Sequence, residues 1–229
     1  MRHFHEQLQD LLQKIVMMGT ITETMIQLAL HGLVKRNEAS FEDVFSKEIE
    51  VNRLQVEVDD AAVRLTALQQ PVAQDVRFLF MSSRIGGELE RIADQAINIC
   101  QNAKHVIDAP PLQPLVELPI MAELAQKMVR DSLTAMIQRD VAQASVVLEE
   151  EQKVDAFRNR IFATLMEWMK QDSTAIDRSM SLILIARNLE RIGDHATNIA
   201  EEVIYWIQGR DVRHGGVFKA HAGVPGETR

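Results

Sequence analysis

The sequence predicts an all-α protein: two tandem repeated three-helix bundles, six long antiparallel helices in all. Three observations carry this expectation. The 229 residues include 11 Met but only 10 Gly, 6 Pro and 5% aromatics, which suits helices better than many-stranded sheets. Apolar residues recur at spacings of three and four through long stretches of the chain. The second half also repeats the first.

The first helix is expected over 6–35, on the rhythm Leu8, Leu11, Leu12, Ile15, Met18, Ile21, Met25, Leu28 and Leu33. The second spans 40–68, with Phe41, Val44, Phe45, Ile49, Leu54, Val58, Ala61, Leu65 and Leu68 in similar register. Pro71 separates it from a third over 72–104. A second trio follows at about 115–139, 142–170 and 174–208. Helices this long exceed the usual globular length and must pack side by side in bundles. The methionines at 17, 18, 25, 121, 128, 136, 166, 169 and 180 are expected to fill the core.

Residues 1–106 therefore form a first bundle. Residues 107–119, with Pro110, Pro111, Pro114 and Pro119, form a linker. Residues 120–209 form a second bundle, its first helix starting near 115, and the Gly-rich 210–229 reads as a disordered tail. The net charge of −8 argues against general nucleic-acid binding, which depends on Lys and Arg neutralising phosphates. A lone Cys100 excludes an internal disulfide and suits a reducing compartment. The N-terminus lacks the apolar core of a signal peptide, and no apolar run approaches the ~20 residues of a membrane span. The expected location is cytoplasmic.

At an offset of 100 residues, Leu89-Glu90-Arg91-Ile92-Ala93-Asp94-Gln95-Ala96-Ile97-Asn98-Ile99 falls on Leu189-Glu190-Arg191-Ile192-Gly193-Asp194-His195-Ala196-Thr197-Asn198-Ile199, with eight of eleven positions identical. At an offset of 103, Glu48-Ile49-Glu50-Val51-Asn52 falls on Glu151-Gln152-Lys153-Val154-Asp155. With Glu90 set at zero on a helical wheel, Asp94 lies at about 40° and Asn98 at about 80°, opposite an apolar face of Ile85, Leu89, Ile92, Ala96, Ile99 and Ala103. Glu190, Asp194, Asn198 and Glu201 repeat the stripe, and the i,i+4 pairs Glu48/Asn52 and Glu151/Asp155 could extend it from the second helices.

Carboxylates crowded on one face repel one another unless protonated or neutralised, and a multivalent cation neutralises them efficiently. Oxygen ligands without Cys or suitably spaced His fit Mg²⁺, Mn²⁺, Ca²⁺ or iron better than a structural zinc site. A solvated acidic face satisfies the same spacing, and the residues alone leave both readings open. Arg91 and Arg191 are read as structural ion pairs to a neighbouring helix, and Asn98 and Asn198 as inter-helix hydrogen-bond anchors. No Gly-rich phosphate loop or Gly-x-Ser-x-Gly is present, and no Glu stands three residues before a His as a di-iron site would require. No catalytic residue is assigned.

The run Gln69-Gln70-Pro71-Val72-Ala73-x-Asp75-x-Arg77, the two Leu-Glu-Arg-Ile-x-Asp segments and the opening His3-Phe4-x-Glu6-x-Leu8 resemble the PhoU family over roughly residues 3–208. The resemblance implies a non-enzymatic negative regulator of the phosphate-starvation response. It implies contacts with the ATPase subunit of the phosphate ABC transporter and with the phosphate-sensing histidine kinase. It implies a peripheral association with the inner membrane through those partners, and long exposed helices suit a homodimer. Some family members bind iron or zinc clusters through acidic motifs. Carried over by position, the candidate ligands are Glu48, Glu90 and Asp94 in the first repeat, and Glu151, Asp155, Glu190 and Asp194 in the second, with Glu201 beside them. The first repeat departs from the pattern, with Asn52 in place of an acid and Gln101 where the second has Glu201. The rival readings are a cytosolic metal store or sensor and a carboxylate-bridged metalloenzyme.

Overall fold

Each of the six apolar rhythms becomes one continuous helix. The computed structural model describes residues 2–110, 112 and 117–213. The helices are α1 (Arg2–Lys35), α2 (Ala39–Gln69), α3 (Ala73–Ile107), α4 (Glu117–Gln138), α5 (Val141–Gln171) and α6 (Ile176–Gln208), the last preceded by a short 3₁₀ turn over Ser173–Ala175. The proline segment is narrower than its expected 107–119. Helix α3 runs through Ile107, and α4 begins at Glu117 with Pro119 in its first turn, where a missing N–H costs nothing. Most of the expected tail, 214–229, lies outside the described residues. Its opening residues are packed: Val212 rests on the core and Arg213 Nη1 lies 3.3 Å from Glu202 Oε1 on α6.

The first turn of each repeat is duplicated as faithfully as the helices. Helix α1 ends at Arg36 (φ 53°) and α4 at Arg139 (φ 54°), both left-handed. Asn37 and Asp140 then donate their N–H groups to the carbonyls of Gly32 and Ala135, each at 2.9 Å. The two arginines justify a conformation that glycine would adopt more cheaply. Arg36 donates to the carbonyls of Ile107 and Ala109 at the end of α3, and Arg139 stacks 4.8 Å from the Trp206 ring near the end of α6. A guanidinium there faces the negative end of the helix dipole. Ahead of the next helix a side-chain oxygen accepts a backbone N–H in both repeats, at the N-cap position only in the case of Asp140. Asn37 Oδ1 accepts from Ala39, and Asp140 Oδ1 accepts from Ala142 and Gln143.

The repeats do more than stand in tandem. Helices α1, α3, α6 and α4 close into a ring of four, in which α3 against α6 is the largest helix pair and α1 packs on α4. Helix α2 bridges the outside of α1 and α3, and α5 bridges α4 and α6. A single hydrophobic cluster runs through all six helices. Ile85, Leu89, Ile92, Ala96, Ile99 and Ala103 are all fully buried in it, as the wheel expects. Gly19 permits the α1–α4 approach: a Cβ there would stand 2.3 Å from Leu133 Cδ1. Met18, Met25, Met121, Met128 and Met136 fill the core, whereas Met17, Met166 and Met180 are exposed, against expectation. Those three sit on outer faces that no other helix of the chain covers, so the periodic signal overcounted them. Among the described residues, no helix is long and apolar enough to cross a membrane.

Candidate functional site

The buried faces of α3 and α6 aim the repeated acidic residues outward, where α2 and α5 bring the rest. In the first repeat, Val51, Leu54 and Val58 seat α2 in the core and bring Glu48 toward Glu90 and Asp94 of α3. Burial, then the charge of Asp94 and, more weakly, that of Glu48, raises the Glu90 carboxyl above its ordinary range despite the pull of Arg91. Asn52 Nδ2 donates to Glu48 Oε1 at 3.5 Å, so it supports an acid instead of adding one.

The second cluster gathers more carboxylates. Burial lifts Asp194 from 3.8 to about 6, helped by the negative charges of Glu190, Glu151 and Asp155. Burial and Asp155 raise Glu151 in the same way. Four carboxylates from α5 and α6 therefore share one field. The α5 guanidinium of Arg158 partly offsets it, with Nη2 lying 3.4 Å from Glu190 Oε1 and 3.5 Å from Asp155 Oδ1. At the 103-residue offset the first repeat carries Gln55 in its place. The second cluster thus has one more acid and one more base than the first, and the net charge of the two sets is the same.

Glu201 lines the same groove as Glu151 and Asp194. It stands further along α6, where its charge helps hold the Arg213 guanidinium protonated. The oxygen donors and their mutual repulsion suit a hard divalent cation. Among the described residues, however, no three His, Cys, Asp or Glu side chains converge on a point where one ion could be held.

Between the clusters lies a polar seam that the motif does not reveal. Glu88 Oε2 on α3 sits 2.7 Å from His195 Nδ1 and accepts from Asn198 Nδ2 at 3.0 Å, both on α6. Burial opposes ionisation of Glu88, but these two hydrogen bonds prevail and hold its carboxyl below the usual range. Arg84 donates to Glu202 Oε1 at 2.8 Å, and Arg77 donates to the Trp206 carbonyl at 3.3 Å. These pairings run in opposite directions along the two helices, so α3 and α6 are antiparallel. Asn198 is the expected inter-helix anchor. Arg91 departs from expectation: it reaches Glu88 on its own helix at 3.5 Å, not a neighbouring helix. A sequence signal existed for the seam. On the same wheel Glu88, His195 and Glu202 fall at about 120–160°, where charge borders the apolar face and must meet a neighbouring helix.

The PhoU domain family model matches residues 15–103 and 118–203, the two repeats in turn. The chain belongs to the PhoU family. It is 36% identical over 209 residues to a phosphate-specific transport system accessory protein PhoU homolog of Zymomonas mobilis, covering 91% of this chain and 88% of that one. The accessory protein PhoU of Escherichia coli K12 is 32% identical over 213 residues, covering 93% and 88%. The crystal structure of PhoU from Pseudomonas aeruginosa superposes with a TM-score of 0.87 at 31% identity, covering 90% of this chain and 99% of that chain. The duplicated architecture is therefore the PhoU architecture, and the acidic pairs lie on the repeated segments of PhoU domains.

Proposed function

We propose that this PhoU-family chain is a non-enzymatic adaptor of phosphate-specific transport that damps the phosphate-starvation response when phosphate is plentiful. Its support is the likeness to phosphate transport accessory proteins over both repeats. In this reading the partners are the ATPase subunit of the phosphate ABC transporter and the cytoplasmic region of the phosphate-sensing histidine kinase. The protein works in the cytoplasm, peripheral to the inner membrane through those partners, as a homodimer. Long helices locked into a four-helix ring give it rigid faces, so docking loses little conformational entropy.

The two acidic clusters are proposed to take divalent cations, iron or zinc among them. Glu48, Glu90 and Asp94 serve one, and Glu151, Asp155, Glu190 and Asp194 the other. Bound cations would relieve the repulsion that raises Glu90, Glu151 and Asp194, and would change the charge offered to a partner.

The test is a pulldown of the purified chain against the ATPase subunit and the kinase cytoplasmic region, with and without phosphate. Elemental analysis is run on the same samples and on a Glu90/Asp94/Glu190/Asp194→Ala variant. Capture of either partner is the expected result. If neither is captured while the wild type carries stoichiometric metal that the variant loses, the protein is a metal store instead. Deleting the gene separates the same two readings in the cell: the adaptor predicts a constitutive phosphate-starvation response, the store an unchanged one.

A further inference from the structure

Beside the second acidic cluster, α3 and α6 enclose a groove of about 610 Å³ whose walls include Arg84, Gly87, Glu88, Thr197, Glu202 and Arg213. Three features of that wall serve nothing inside the chain. Thr197 is 8% exposed, yet its Oγ1 has no hydrogen-bond partner. Glu202 is 6% exposed; its Oε1 is held by Arg84 and Arg213, but its buried Oε2 has no partner. Buried polar atoms are costly to leave unpaired and call for an explanation. Gly87 lies in the interior of α3, where glycine weakens a helix relative to alanine, and a Cβ there would meet nothing within 4 Å. No neighbouring side chain requires its smallness, so the space over Gly87 is open to a group from outside.

The charge of the groove selects that group. In the metal-free chain five carboxylates line it, from Glu88, Glu151, Asp194, Glu201 and Glu202, against the guanidinium groups of Arg84, Arg91 and Arg213. An anion would meet an excess of negative charge, and Glu202 Oε2 can only accept a hydrogen bond. A flat cation rich in N–H donors suits both the unpaired oxygens and the open space over Gly87. We propose that the groove at Gly87, Thr197 and Glu202 receives an arginine side chain of a partner protein. The adaptor reading enters only in naming that partner as the transporter ATPase subunit or the kinase.

The test uses the full chain, isotope-labelled for NMR and titrated with a short capped peptide carrying one arginine. The Gly87 and Thr197 signals should move saturably. Thr197→Val removes the unpaired hydroxyl, and Gly87→Leu fills the approach. Each should weaken peptide binding at least fivefold while melting at or above the wild-type temperature, a combination that a merely structural role would not give. The proposal is overturned if the peptide moves neither signal, if a glutamine-for-arginine peptide or inorganic phosphate moves them equally, or if both variants bind like wild type. The same variants in the partner pulldown keep the two readings apart. Peptide binding without capture of either partner removes the adaptor reading alone. Capture that persists without any peptide response removes the groove alone.

Discussion

Replacing Asp194 with asparagine should stabilise the metal-free protein at neutral pH, although it deletes a repeated acidic residue. In the folded chain burial and three neighbouring carboxylates raise this carboxyl from 3.8 to about 6. The folded protein therefore binds the proton more tightly than the unfolded chain. Stability from this group is fully present below about pH 4 and is lost as the pH rises through 6. Each tenfold change in proton affinity corresponds to ~1.4 kcal/mol, so a fully shielded group would lose about 3 kcal/mol by pH 7.5. Asp194 is only partly buried and solvent screens it, which reduces the expected loss to about 1–2 kcal/mol. The asparagine amide cannot ionise and avoids the loss at nearly the same shape. Urea unfolding in chelator should move the Asp194→Asn midpoint up by roughly 0.5 M at pH 7.5, using a slope of about 2–3 kcal/mol per molar. The gain should shrink toward zero by pH 4. A variant that is less stable at pH 7.5, or a gain that does not change with pH, would refute the electrostatic reasoning. Divalent zinc in place of chelator should reverse the order if the cluster binds it, because wild type alone keeps the full ligand set.

Other perturbations test other parts of the fold. At Gly32 a Cβ would stand 2.2 Å from Cε1 of the fully buried Phe41 ring; Gly32→Ala should cost about 1–3 kcal/mol, partly restored by Phe41→Leu. Lys127 Nζ reaches both oxygens of the buried Glu150, at 2.9 and 3.0 Å. Lys127→Met strands that carboxylate and should cost about 1–3 kcal/mol by thermal or urea unfolding, discounted for the exposed lysine. Burial pushes the Cys100 thiol up to about 12, so a thiol reagent at pH 8 should label it only when the protein unfolds. Rapid labelling of the native protein would show that the α3 core opens locally.

Helix existence was legible because its signal is local. Ile85, Leu89 and Ile92 announce one face of α3 from neighbours three and four residues away, and that face is fully buried. The ring of four helices was not legible, since the same face pattern serves a three-helix bundle equally well. The acidic stripe could be read because duplication marks it. Glu88 with His195 could not, because 107 residues separate the partners and the repeat substitutes both. Arg158, one helical turn beyond Asp155, is legible from spacing alone as an i,i+3 partner of an acid in the stripe. Arg213 sits at the head of a Gly-rich stretch, whose composition says nothing of the buried Glu202 it meets.

The seam between α3 and α6 also bears on stoichiometry. A 100-residue offset carries Glu88 onto Asn188, His195 onto Gln95, Arg84 onto Leu184 and Glu202 onto Asn102. The helix order and packing are duplicated while the side chains along this crossing are not, so charge gathers toward one end and neutral residues toward the other. A homodimer built from single repeats would offer a partner two equivalent seats. This fused pair offers one seat with a defined polarity, so a partner that reads the charged end binds once per chain and in a single direction.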